Sequence, residues 1–177
     1  MAPVGPVTGT TVKETQQAFI AMIDRHQAII HQVCRLYERE AEDRRDLFQE
    51  IVLQLWRAYP AFRGEAKVST WMYRIALNTA ITRLRHTRRR PRLHETLPLH
   101  LPDEPPDSDH DEARQWLYRA IDTLSPVDKA LVLLYLEAYS YDDMAAILGL
   151  TPNHVGVKLN RIKKHLRTRL ATLFSND

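Results

Sequence analysis

The stretch SYDDMAAILGLTPNHVGVKLNRIKKHLRTRL, Ser140 to Leu170, decides how the chain folds. Ser140 ahead of Asp142 and Asp143 is a capping hydroxyl followed by carboxylates that complement a helix dipole; Thr151 before Pro152 pairs a cap with a proline suited to the first helical position. These signals predict a short helix at 141–148, a turn at Gly149-Leu150 and a long helix at 152–172. Ala145, Gly149 and Val155 stand at the separations of a helix-turn-helix: a small residue lets the helices approach, glycine admits a left-handed turn, and a branched apolar residue anchors the second helix on the first. At about 100° per residue, Val155, Leu159, Ile162, Leu166 and Leu170 share one face of the long helix, and Asn153, Val157, Asn160 and Lys164 share the opposite one, flanked by His154 and Arg161. Such a helix suits a major groove, with amide and guanidinium groups at base edges and Lys158, Lys163 and Arg167 at phosphates.

Outward from that stretch, Ser125-Pro126-Val127-Asp128 opens another helix, expected over 126–138, and a helix is expected at about 113–123. Upstream the composition changes abruptly. Arginines 83, 85, 88, 89, 90 and 92 give way to ETLPLHLPDEPPDSDHDE, Glu95 to Glu112, which holds seven carboxylates, four prolines and no Lys or Arg. Such a segment buries too little apolar surface to offset its ordering entropy, so 93–112 is expected to be a flexible linker. Residues 1–12 are expected to be a loose tail, 13–92 one helical unit and 113–177 a second.

In the first unit, apolar residues recur every three or four positions. They predict one long helix within about 13–40, a second from about Asp43 to Tyr59, a break carrying Pro60 and Gly64, and a third from about Ser69 into the arginines. No stretch alternates in the manner of a strand, so the fold class is all-α with two small helical domains. The second helix points Leu47, Phe48, Ile51, Val52, Leu55 and Tyr59 inward and Asp46, Gln49, Glu50, Leu53 and Arg57 outward. The third carries Trp71, Arg74, Asn78, Thr82, Arg85 and Arg89 within roughly 80° of one another. Cations crowd there only if an anion offsets their repulsion, and a tryptophan among them can stack on an unpaired base, so this stripe points to single-stranded or melted nucleic acid.

Composition narrows the alternatives. The 177 residues are 44% hydrophobic and 27% charged with a net charge of +3, as in an ordinary globular protein. Glycine-rich phosphate loops and a GxSxG nucleophile motif are absent, and no Glu-x-x-His pair suggests a di-metal bundle. The eight histidines are scattered and read as exposed or capping groups, and the single cysteine, Cys34, reads as core filler. No cofactor, metal or catalytic residue is expected. A lone cysteine fits a reducing compartment, the cytoplasm, and the longest apolar run, Ala130 to Leu136, is too short to cross a bilayer of about 30 Å.

Two segments resemble a known family. DLFQEIVLQLWRAYPAFRGEAKVSTWMYRIALNTAITRLRHTRRR, Asp46 to Arg90, resembles region 2 of extracytoplasmic-function sigma factors of bacterial RNA polymerase, and LSPVDKALVLLYLEAYSYDDMAAILGLTPNHVGVKLNRIKKHLRTRL, Leu124 to Leu170, resembles their region 4. The resemblance implies a non-catalytic subunit that directs core polymerase to promoters and assists melting. It implies core-polymerase contacts at Asp46, Leu47, Gln49, Glu50 and Leu53. Minus-ten DNA contacts are implied at Arg63, Lys67, Ser69, Thr70, Trp71, Arg74, Asn78, Arg85 and Arg88, with one base flipped into a pocket. Minus-thirty-five contacts are implied at Thr151, Asn153, His154, Val157, Lys158, Asn160, Arg161 and Lys164. An anti-sigma factor is a further implied partner, and a freely acting operator-binding regulator is the alternative reading. The chain departs from the family pattern in having Thr82 where an aspartate is usual, Ala138 near a usual glycine, and His154-Val155-Gly156-Val157-Lys158-Leu159 in place of a Thr-Val-x-Ser-Arg-Leu run.

Overall fold

The structure, a computed structural model, describes residues 12–87, 117 and 119–174, and every regular element among them is helical. The chain divides into two compact units, Met1–Glu104 and Pro105–Asp177. Residues 1–11 of the expected tail, the linker at 93–112 and the arginines from 88 to 92 lie outside the described residues, and Val12, expected in the tail, is the first residue of a helix.

The first unit is built from α1 (Val12–Tyr37), α2 (Ala41–Ala58), a 3₁₀ turn (Tyr59–Ala61) and α3 (Val68–Thr87). Each of the three helices packs on the other two. The core draws Phe19, Ile23, Ile30 and Val33 from α1, Leu47, Ile51 and Leu55 from α2, and Met72, Ala76, Leu77 and Ala80 from α3. The helical apolar spacing read from the sequence is what brings these rows together. Phe19 meets Trp56 and Tyr59 edge-on, with centroids 5.0 and 5.3 Å away, closing the end of α2 where Pro60 ends the helix. Tyr73 is buried, and its hydroxyl donates to Oε1 of Gln32 at 2.7 Å, tying α3 to α1. Cys34 is buried as expected. Burial pushes the pKa of the Tyr37 phenol up, so it serves as a neutral core group. His31 is a correction: it is neither exposed nor a cap but buried, with its ring tilted 31° against Phe48 at 4.6 Å. The aliphatic neighbours Ile30 and Val33 carry the α1 core face, and His31 falls within its width.

The second unit holds helical residues at 119–122, then α4 (Pro126–Leu136), α5 (Tyr141–Leu148) and α6 (Pro152–Phe174). Its caps are those the sequence signals: Ser125 accepts from the Asp128 amide at 3.2 Å, Ser140 from the Asp143 amide at 3.1 Å, and Thr151 from the His154 amide at 3.2 Å. Leu131, Leu134, Met144, Ile147, Val155, Leu159 and Ile162 fill the core. Helix α4 ends at Leu136 rather than at 138, because Ala138 turns left-handed at φ 58° and the Tyr139 amide reaches back to the Leu134 carbonyl at 3.0 Å.

Candidate nucleic-acid interfaces

On α3 the buried row Met72, Tyr73, Ala76, Leu77 and Ala80 fixes the helix's rotation, which leaves Arg74, Asn78, Thr82 and Arg85 exposed along one side. Trp71 is half-buried. Its ring lies 4.6 Å from that of Phe62 at 34°, so the loop before α3 supports part of the indole and the rest remains accessible. Ser69 and Thr70 are half-buried at the helix start, and Arg63 and Lys67 project from the preceding loop. The described members of the expected stripe therefore lie together, an aromatic plate beside cations and an amide; Arg88 and Arg89 lie outside the described residues. Cations and an aromatic plate side by side can hold a phosphate backbone and stack an unpaired base.

Arg83 behaves differently from its basic neighbours. Its side chain is only 10% exposed, its Nε sits 3.1 Å from Glu38 Oε1, its Nη1 lies 3.1 Å from Glu50 Oε2 and its Nη2 lies 4.0 Å from Asp46 Oδ2. The guanidinium fork thus clasps the end of α1 and one side of α2 onto α3. Asp46 and Glu50, expected to point outward, are turned toward this clasp with side-chain exposures of 22% and 40%. Gln49 is exposed and Leu53 half-buried on the same side of α2. Leu47 is wholly buried, so its side chain lies behind that face rather than on it. A row of arginines in the sequence reads as one basic block. Only the phase of α3 against α2 singles out the member that turns inward.

In the second unit, Gly149 adopts φ 68° and ψ 36°, the left-handed turn the motif requires, and the Leu150 amide donates to the Ala145 carbonyl at 3.0 Å. Ala145 is buried under the turn, and Val155 is fully buried. Helix α6 thereby presents Asn153, His154, Val157, Asn160, Arg161 and Lys164 to solvent, with the capping Thr151 exposed ahead of them. Lys158, expected to contact DNA, donates its ammonium to Asp128 Oδ1 at 2.9 Å and braces α6 against the start of α4. Lys163 lies over the Tyr135 ring, 4.2 Å from its centroid, and donates to the hydroxyl at 3.1 Å. That hydrogen bond raises the ammonium's pKa. Gly156 passes under Tyr141, where a Cβ would come within 3.4 Å of the ring; an unsubstituted backbone gives α5 room to lie close. Leu166 and Leu170 are half-buried toward the far end of the apolar face.

No candidate metal cluster occurs among the described residues, and no described helix is long and apolar enough to cross a membrane.

Comparison with known proteins identifies the family of both units. Residues 22–90 match the family described as Sigma-70 region 2, and residues 114–166 match Sigma-70, region 4. The chain is 33% identical over 161 residues to the ECF RNA polymerase sigma factor SigM of Mycobacterium tuberculosis, covering 88% of this chain and 79% of that one. It is 29% identical over 177 residues to the ECF RNA polymerase sigma-E factor of Escherichia coli, covering 91% of each. Among solved structures, the sigma factor RpoE in complex with the anti-sigma factor NepR from Bartonella quintana has the same fold, with a TM-score of 0.62 at 19% identity over 90% of this chain and 98% of that one. CnrH in complex with the cytosolic domain of CnrY follows at a TM-score of 0.59 and 21% identity, over 92% and 90%. An operator-binding regulator needs only the second unit, whereas both matched regions are sigma regions, in sigma order. The chain belongs to the extracytoplasmic-function sigma factors, which direct RNA polymerase to promoters.

Proposed function

We propose that the two units divide promoter recognition between them, without bond-making chemistry of their own. In the first, the α3 stripe and the loop with Arg63 and Lys67 hold the opened minus-ten element, while Gln49 and Leu53, with Asp46 and Glu50 set by Arg83, face core polymerase. In the second, α6 enters the duplex minus-thirty-five element, with Asn153, His154, Val157, Asn160, Arg161 and Lys164 toward the groove and Thr151 at its entrance. The segment 93–112, with seven carboxylates and no Lys or Arg, joins the two. The protein works beside the polymerase in the cytoplasm. The solved relatives bound to NepR and to CnrY support an anti-sigma partner for this chain as well.

The observation that carries this reading is the accessible part of Trp71 beside exposed Arg74 and Asn78 on a helix whose other side is core. Unstacking a base costs a few kcal/mol, and capture on an aromatic ring together with phosphate contacts offsets it. Trp71→Ala and Asn78→Ala are expected to abolish permanganate-reactive thymines at a cognate promoter while core polymerase still co-purifies with the protein. Melting that persists in both variants would refute the assignment of α3.

A further inference from the structure

Between Pro152 and Thr172, Val157 is the one exposed large hydrophobic residue of α6, 43% exposed, and it stands midway along the polar face. One turn before it come Asn153 and His154, and one turn after it Asn160 and Arg161, all exposed. Its immediate neighbours leave that level of the helix to it alone: Gly156 offers no side chain and lies under Tyr141, and Lys158 is held by Asp128 at 2.9 Å. At the centre of the proposed reading face there is therefore neither a donor nor a cation, only a branched pair of methyl groups. In the major groove the single apolar feature that distinguishes one base from the others is the C5 methyl of thymine.

We infer that Val157 is a specificity-determining residue that selects a thymine by packing on its C5 methyl group, between positions read by the amide and guanidinium groups of the flanking turns. The inference rests on the reading of α6 as the groove helix. At a cytosine in the same place the methyl is missing, and the amino donor there finds no acceptor on a valine.

Holoenzyme assembled from this chain and core polymerase is used to enrich duplexes from a random-sequence pool. The enriched duplex is then resynthesised with each upstream thymine, in either strand, replaced in turn by deoxyuridine, which deletes only the methyl. One replacement is expected to lower wild-type affinity about fourfold, the worth of one buried methyl group, and to have no effect on Val157→Ser holoenzyme. Val157 lies outside the core, so the variant keeps its fold, which its unfolding midpoint checks. A flat scan with wild type, or equal sensitivity in Val157→Ser, overturns the assignment. Arg161→Ala separates the two levels. If it weakens duplex capture while the scan is flat, only the role of Val157 falls; if it captures duplex as wild type does, the groove reading of α6 falls too.

Discussion

Ala138 holds a left-handed φ of 58°, a conformation that costs an L-residue with a Cβ roughly 1–2 kcal/mol relative to glycine. Part of that strain is offset because alanine has fewer unfolded conformations to lose. Ala138→Gly is therefore expected to stabilise the second unit by about 0.5–1 kcal/mol, seen as a higher urea midpoint. Gly149 supplies the opposite case. At φ 68° a Cβ would meet nothing within 4 Å, so Gly149→Ala tests backbone strain alone and is expected to lose about 1 kcal/mol. Equal midpoints for wild type and both variants would mean that neither turn is strained as described. The two positions also show what a sequence discloses at this scale. A glycine after eight helical residues announces a turn, whereas Ala138 reads as more helix; only the backbone bond from Tyr139 to Leu134 ends α4 two residues early. Similarly, the hydroxyl caps at Ser125, Ser140 and Thr151 were legible because capping is local, and burial of His31 was not, because it depends on Phe48 arriving from α2.

At the scale of elements, three helices of one unit are joined by a single guanidinium. Removing one member of a mostly buried ionic cluster leaves the remaining charges poorly solvated, a loss of about 3–5 kcal/mol when burial is complete. Because Glu50 is 40% exposed, about 2–3 kcal/mol is expected for Arg83→Ala, read from chemical unfolding of the first unit. Arg85→Ala, two residues on and exposed, should change stability by less than about 0.5 kcal/mol. Arg83→Lys should recover little of the loss, since an ammonium cannot reach Glu38 and Glu50 as a planar fork does. Matching midpoints for Arg83→Ala and Arg85→Ala would remove the clasp from any account of the fold. The helices themselves were readable from apolar spacing, since burying a stripe is what orients a helix. Pairings between polar groups were not, because Arg83 with α2 and Lys158 with Asp128 join residues more than 29 positions apart and need the packed backbone to bring them within reach.

At the scale of the whole chain, the change from arginines to carboxylates near residue 93 marks two units in the sequence, each with its own core in the structure. A net charge of +3 conceals the arrangement that matters, since six Lys and Arg lie along α6 and Arg74 and Arg85 stand exposed on α3, while the acidic segment carries no Lys or Arg. If the units act as proposed, they govern different steps of initiation. Duplex contacts by α6 set how readily holoenzyme occupies a closed promoter, an association that mass action can restore. Capture of the opened strand by α3 sets the equilibrium between closed and open complexes after binding, which concentration does not alter. Arg161→Ala holoenzyme is accordingly expected to need about tenfold more protein for half-maximal occupancy, the low end of a lost base or phosphate contact, yet to reach full permanganate reactivity at saturation. Trp71→Ala holoenzyme should occupy the promoter at ordinary concentrations and remain unreactive however much is added. If saturating protein rescued melting in Trp71→Ala, the indole would be contributing to duplex capture instead, and the division of labour between the two helices would have to be redrawn.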